Sequence, residues 1–504
     1  MNESDETMPS TPVYDTLTRT FDRLHRLFHL KEIACWDQAT MMPPGGNEAR
    51  AGALAELGGL IHAMMTDAEF GRRLSAAEDE DLDDMARANL REMRREWERT
   101  NLLPADLVKA QTLARARCEH AWRSQRPAND WPGLRENLRE VVRLAREEGR
   151  RLAEGRGIAP YQALMDKFEP GMTTERLETL FSDIKTWLPG LIAAVRDKQA
   201  GETWLKPAGP FPVEAQRALC REAMALLGFD FSAGRLDVSE HPFCGGVPED
   251  VRITTRYRED DFVQSLMGII HETGHARYEQ RLPRGWLGQP VGRARSMGIH
   301  ESQSLAFEMQ LARHPAFVGL LAPLARRHLG ERPELSGEQL AALLTRVEPG
   351  FIRVDADELC YPAHVILRFE IESALIDGAI EVDDIPALWD DKMAAYLGLD
   401  TRGNHADGCM QDIHWPSGDF GYFPSYTLGA MYAAQFFAAM RREHPDLDRR
   451  IADGDLSVVF DWLDKAVWSQ GCRWTTDELV RRATGGSLDP THFRTHLEAR
   501  YLGG

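Results

Sequence analysis

Long apolar runs are missing from this 504-residue chain; none approaches the ~18 residues of a membrane-spanning helix, so no span is expected. Positive charge is in deficit as well. Lys and Arg number 60 against 79 Asp and Glu, a formal charge of −19, whereas nucleic-acid binding leaves a basic footprint. Cysteine is sparse, and its seven positions (Cys35, Cys118, Cys220, Cys244, Cys360, Cys409, Cys472) contain no CxxC or CxxH pair. Neither a disulfide framework nor a thiolate metal site is expected from that pattern. The opening residues "MNESDETMPSTPVYDTL" have no basic segment and no apolar core of a secretory signal. These absences point to a cytoplasmic protein with reduced, mostly buried thiols, no nucleic-acid partner and no membrane partner. Internal repeats and low-complexity tracts are absent too.

What is present is mostly helical periodicity. Leu17, Phe21, Leu24, Leu27, Phe28 and Ile33 recur at three- and four-residue steps near the start of the chain, an amphipathic stripe. Arg- and Glu-rich segments follow from about 78 to 125, broken at Pro104, and Pro132 opens another that glycine closes. Their long charged faces read as solvated helix surface with no function of their own. The texture changes between about 201 and 257. There a Pro/Gly-rich joint precedes two short β-like runs, near 235–240 and 250–257, around a Gly-Gly connection, which together suggest a small hairpin or ribbon. A glycine-rich loop is expected at 397–429. The fold class is mainly α with a minor β element.

Directly after the ribbon comes "GIIHETGHARYEQ", 268–280, on a segment that Asp260 or Asp261 can cap and that Pro283 follows. On a helix, His271 and His275 lie one turn apart on one face, able to direct two imidazoles at one ion. Glu272 then stands where a general base is needed. Zinc suits two imidazoles, a carboxylate and one open position, and its Lewis acidity acidifies water and polarises a carbonyl. A third ligand is required. The continuation HExxHxxGxxH fails, because Tyr278 and Arg281 occupy the Gly and third His places. A carboxylate from the next helix, "SMGIHESQSLAFEMQLARHP", is the other solution, as in gluzincin-type sites. Glu301, 26 residues after His275, is preferred; Glu308 competes, and His300 would face elsewhere. Ser304 or a more distant carboxylate could orient the ligands from behind.

Seven ordered blocks give the chain a family likeness: "WDQATMMPPGG" at 36–46, "HPF" at 241–243, "DVRITT" at 250–255, "HETGH" at 271–275, "HESQS" at 300–304, "IRVDADE" at 352–358, and "GCMQDIHW" with "GYFPSYTLG" within 408–429. Over almost its whole length the chain resembles the thermostable-type metallocarboxypeptidases of family M32. The resemblance implies a single carboxypeptidase domain over 1–504, with a helical wall over about 1–200 and a catalytic part over 201–504. It implies a saddle-shaped helical protein with a deep substrate groove, working as a homodimer. Such enzymes remove C-terminal residues of peptides one at a time, with broad side-chain tolerance and poor activity beside proline. His271, His275 and Glu301 are then the ligands of one divalent ion per chain, zinc first, with cobalt or manganese compatible. Glu272 becomes the general acid/base.

An exopeptidase of this kind also needs a cation for the substrate's free carboxylate, and arginine suits that task best. The family blocks point to Arg353, whose structural alternative is an ion pair to an acid such as Asp357. Arg252, with Asp250 and Thr254, would shape the closed end of the groove, and His241 would be a further groove residue. His414 and Tyr426 are the candidate donors to the developing oxyanion. Gln411 and Asp412 would stand behind them, and Trp36 and Asp37 would pack the walls together. The competing functions are an oligopeptidase cutting internally, a dipeptidyl carboxypeptidase, and a non-catalytic peptide-binding scaffold. An aminopeptidase is disfavoured, since "GAMYA" at 429–433 does not match GxMEN.

Overall fold

The computed structural model describes residues 11–239 and 242–503. The first amphipathic stripe becomes the helix Pro12–Thr40, which buries Leu17, Phe21 and Leu24. Those side chains join a core cluster with Ile61, Met65, Phe70, Leu74, Leu90 and Met93 from the next three helices, Asn47–Met65, Ala68–Ala77 and Asp84–Asn101. Pro104 separates Asp84–Asn101 from Ala105–Gln125, and Pro132 sits in the first turn of Trp131–Ala153, where its missing N–H costs nothing. From Leu107 onward the helices share a second, much larger core that runs to Tyr501. The expected wall over 1–200 therefore contains two packing environments, dividing near residue 100. Five of the seven unpaired thiols are buried. Among the described residues, no helix is long and apolar enough to cross a membrane.

The β element differs from the simple hairpin expected. It has three strands, β1 (Gly234–Val238), β2 (Cys244–Val247) and β3 (Asp250–Thr255), in the order β1-β3-β2. The two runs read as hairpin partners, β1 and β3, pair in parallel, with Arg235 opposite Arg252. The Gly-Gly connection is itself β2, antiparallel to β3. Glycine is a poor strand former, which hid this strand from pattern reading. Gly246 is needed there: its φ is 98°, and a Cβ would lie 2.1 Å from the Asp250 carbonyl oxygen. Val251 and Ile253 of β3 form a third, small core with Cys220, Met224, Ile269 and Ala276.

The glycine-rich segment also ends earlier than expected, because the helix Pro424–Glu443 begins inside it. That helix, the motif helix Phe262–Gln280 and the short helix Met297–Leu305 form the centre of the molecule. Their closeness depends on two glycines. A Cβ on Gly274 would meet the Gln303 carbonyl oxygen at 2.4 Å and Ser304 Cα at 2.6 Å. A Cβ on Gly429 would meet Glu301 Cγ at 2.6 Å and Cβ at 2.7 Å. Met297–Leu305 is thus clamped between two bare backbone surfaces. Its N-terminus is held as well: Ser296 accepts from the Ile299 amide, and the buried Glu169 carboxylate accepts from the Gly298 amide and the Ser425 hydroxyl.

Gly274→Ala and Gly429→Ala are expected to destabilise the fold by about 1–3 kcal/mol each, through overpacking that no rotamer relieves. Gly268→Ala, on the same helix as Gly274 but with nothing within 4 Å of the added carbon, is the control. It should be neutral or stabilise by up to about 1 kcal/mol. Chemical denaturation of the three variants checks this, and equal stabilities would remove the clamp.

Candidate metal centre and its cavity

Asp261 starts the motif helix, its carboxylate accepting from the amides of Val263 and Gln264 at 2.9 and 3.2 Å. One apolar face, with Ile269 and Ala276, lies on the sheet core; a second, with Phe262, Leu266 and Ile270, enters the main core. The remaining face carries His271 and His275, ring centroids 5.0 Å apart. Met297–Leu305 brings Glu301 to them. Glu301 Oε2 lies 3.3 Å from His275 Nε2 and 3.7 Å from His271 Nε2. A tetrahedral ion with bonds of about 2.0–2.1 Å spaces its donors by roughly 3.4 Å, so this donor set fits a zinc-sized ion. No other His, Cys, Asp or Glu trio among the described residues is so arranged.

The outer atoms of these side chains are engaged in turn. His271 Nδ1 is 2.9 Å from Glu308, whose other oxygen accepts from Arg313 at 3.0 Å. Glu308, the rival ligand by sequence, therefore stands behind His271 instead. It reaches that place from the π-helix Ala306–Ala312, which continues Met297–Leu305 and re-aims its side chains. His275 Nδ1 is 2.6 Å from His300 Nδ1, and His300 Nε2 is 2.8 Å from Glu279. This chain dictates tautomers. With the His275 lone pair on Nε2, its Nδ1–H donates to His300 Nδ1, and His300 Nε2–H donates to Glu279. Ser304 donates to Glu301 Oε2 at 3.2 Å.

Burial opposes charge on every member of the constellation, and neighbours decide the outcome. For Glu301, burial is outweighed by His271 and His275, which bring its pKa down to about 2. For His271, burial is outweighed by Glu301 and Glu308, which raise it to about 10. Burial lowers His275 to about 4 and lifts Glu272 to about 7. A carboxyl group poised near neutrality can both take and return a proton.

His271, Glu272 and Glu301 line a cavity of about 660 Å³ that Arg353, Tyr361 and Tyr426 also line. Arg353 is buried, and its Nε and Nη2 donate to Asp412 Oδ1 at 3.0 and 2.8 Å. Its Nη1 donates to the Tyr361 hydroxyl, and its backbone amide donates to Gln411 Oε1 at 2.7 Å. Asp412 Oδ2 accepts from the fully buried Arg368 at 2.6 Å. Two guanidinium groups thus share one carboxylate, which they hold well below the usual carboxylate range against the effect of burial. One net positive charge is left beside the cavity. Asp357, the partner considered from sequence, instead accepts from the amides of Leu359 and Cys360.

Tyr426 lies in the first turn of Pro424–Glu443, not in a loop, and its hydroxyl is 3.1 Å from His414 Nε2. Tyr426 lines the cavity; His414 stands behind it, its pKa lowered to about 3 by burial and by Arg353. Arg252, Asp250 and Thr254 share one face of β3. Arg252 pairs with Asp250 at 2.8 Å and lies over the Trp36 ring at 4.3 Å, while His29 reaches Asp250 at 3.1 Å. Thr254 is buried and bonded to the Ser239 hydroxyl and the Phe243 amide. Of this strand's residues, Thr255, on the opposite face, lines the cavity. Trp36 joins the first helix to the sheet, and Asp37 pairs with Arg50 at 2.6 Å. His241 lies outside the described residues. Sequence reading missed Arg368, Tyr361 and the His300–Glu279 relay. The available signals were an arginine inside the apolar run "HVILRF" and a glutamate one turn past His275.

His300→Ala and Glu279→Gln are each expected to weaken divalent-ion binding about 10- to 100-fold by freeing the His275 ring. Competition with a chromophoric chelator measures this, and unchanged affinity would remove the relay.

Comparison with known proteins bears on the same residues. The family model described as Carboxypeptidase Taq (M32) metallopeptidase matches residues 16–501. Thermostable carboxypeptidase 1 of Thermus thermophilus is 39% identical over 488 residues, covering 94% of this chain and 95% of the relative. Among solved structures, Trypanosoma cruzi metallocarboxypeptidase 1 superposes with a TM-score of 0.96 at 49% identity, covering 98% of this chain and 100% of that one. The M32 carboxypeptidase of Deinococcus radiodurans gives 0.92 at 33% identity, covering 97% and 98%. A two-histidine, one-glutamate centre facing a buried arginine, in a helical fold matched end to end by these proteins, therefore belongs to a member of the M32 metallocarboxypeptidase family.

Proposed function

We propose that this chain hydrolyses the C-terminal peptide bond of peptides, releasing single amino acids with broad side-chain tolerance and little activity beside proline. The observation that carries the reading is one cavity lined by both the His271–Glu272–Glu301 group and Arg353. A metallopeptidase that cuts internally has no use for a buried cation there. An exopeptidase needs one within a residue's length of the scissile bond.

In this reading His271, His275 and Glu301 hold one divalent ion, most simply zinc. When bound, the ion supplies Lewis acidity for water and for the scissile carbonyl. Glu272 takes the proton of the attacking water and returns it to the leaving nitrogen, a double duty that its buried place on the cavity wall beside His271 suits. Arg353 receives the substrate carboxylate. The positive charge that Asp412 leaves uncompensated then gains a partner, which favours a free C-terminus over an amide. Tyr426 donates its O–H to the oxygen that becomes negative, and His414 holds the phenol in position by donating from Nε2. Arg252, Asp250 and Thr254 shape the groove end from behind, on the face of β3 opposite the cavity-lining Thr255, with Arg252 set against Trp36; His241 belongs to the proposal as a further groove residue through the family likeness alone. Homodimerisation and a cytoplasmic location belong to the same proposal, supported by the family likeness.

A free-acid peptide should lose single C-terminal residues, while its C-terminal amide should react about a hundredfold more slowly. Mass-spectrometric product mapping reads this. Equal internal cleavage of both forms would favour the oligopeptidase reading. Arg353→Met should abolish the discrimination, with kcat/KM for the acid falling by a similar factor. Glu272→Gln should keep its metal and lose about 10²- to 10⁴-fold in kcat; retained turnover would displace Glu272 from its role, and no turnover in the parent with any divalent ion would favour the scaffold.

A further inference from the structure

The helix Asp84–Asn101 carries arginine at every fourth position: Arg87, Arg91, Arg95 and Arg99. Such a row places like charges one turn apart on a single face, which disfavours a helix unless anions compensate. By sequence this face reads as solvated surface, but it borders a second cavity of about 690 Å³ that shares no lining residue with the metal-site cavity. Eight basic side chains line it against four acidic ones, Glu78, Glu92, Glu98 and Asp166. That reverses the sign of the chain as a whole, with its 60 basic and 79 acidic residues.

The charges do not balance within the cavity wall. The buried Glu92 carboxylate is shared by three guanidinium groups: Arg91 Nε at 3.0 Å, Arg295 Nη1 at 3.0 Å and Arg95 Nη1 at 3.8 Å. Arg295 is almost wholly enclosed, with 3% of its side chain exposed, and its Nε has no hydrogen-bond partner. Across the cavity, Arg156 leans on Asp166 at 3.2 Å, while Arg95 takes the Asp166 carbonyl at 2.7 Å, which adds no charge. Arg99 is exposed and has no ion pair or hydrogen bond among the described residues. Burial, then repulsion from Arg295 and Arg99, lowers the pKa of Arg95. Guanidinium forks crowded around a cavity, with donors unspent, are the arrangement that oxyanions satisfy bidentately.

We propose that this cavity binds a small, multiply charged anion, one carrying two or more phosphate or carboxylate groups, through Arg95, Arg99 and Arg295. The site is independent of the peptidase centre. The test titrates the full-length, metal-loaded protein by calorimetry at constant ionic strength. Fructose 1,6-bisphosphate serves as the phosphate probe, propane-1,2,3-tricarboxylate as the carboxylate probe, and sodium chloride as the control. Saturable binding of one probe per chain is expected, and the tighter probe identifies the group preferred. Arg99→Glu, a change at an exposed and unpaired side chain, should weaken binding about tenfold or more while metal content and peptidase activity stay unchanged. Arg95→Gln should weaken it similarly. Heat from neither probe above the chloride control, or binding that Arg99→Glu leaves intact, would overturn the proposal.

Discussion

The metal centre depends on how closely one nine-residue helix can be approached. Met297–Leu305 supplies Glu301, and it touches backbone on two sides, at Gly274 and at Gly429. Side chains at those two positions would press on Gln303, Ser304 and Glu301 at well under van der Waals distance, so the flanking helices would have to give way. Those helices carry His271 and His275 on one side and Tyr426 on the other. The buried polar residues of the short helix follow from the same closeness. Gln303 accepts from the Trp468 indole at 2.8 Å and donates to Ser302 at 2.7 Å, so the helix is fixed in rotation as well as in position.

Electrostatically the cavity has two poles. One side gathers Glu272, Glu301 and Glu308 about two imidazoles, the arrangement that a cation completes. The other gathers Arg353 and Arg368 about a single carboxylate, which an anion completes. Burying unbalanced charge costs several kcal/mol per ion unless hydrogen bonds and partners offset it. Here Tyr361, Asp412 and the aromatic faces of Tyr426 and Phe423 offset part of that cost for Arg353. The remainder is a standing preference for a cation at the first pole and an anion at the second. In the proposed reading a divalent ion held by His271, His275 and Glu301 would supply the one and a substrate carboxylate the other.

Local pattern made some of this legible. Helical periodicity is written in steps of three and four residues, so the mainly α fold and the first helix could be read directly from Leu17, Phe21 and Leu24. The pairing of His271 with His275 is equally local, because one helical turn brings them together. Glu301 needed only the assumption that the next helix packs back. The misreadings share a different cause. The β1–β3 pairing is parallel and non-sequential, and β2 is built on glycines, so neither register nor strand order left a period to detect. Glycines on either side of Tyr426 read as loop, although Gly429 serves helix contact and not chain reversal.

The sequence by itself determined the chemistry available: which residues can bind a metal, which can move a proton, and which cations exist to receive a carboxylate. Spacing along one helix is enough for that, since a turn of backbone is a fixed ruler. Only the tertiary structure decided the partners. That Arg353 answers to Asp412 and Arg368, that Glu308 stands behind His271, and that His300 leans on His275 are contacts between elements tens of residues apart, several on helices with a free rotation about their axes. Packing sets that rotation, and here two bare glycine surfaces set the packing.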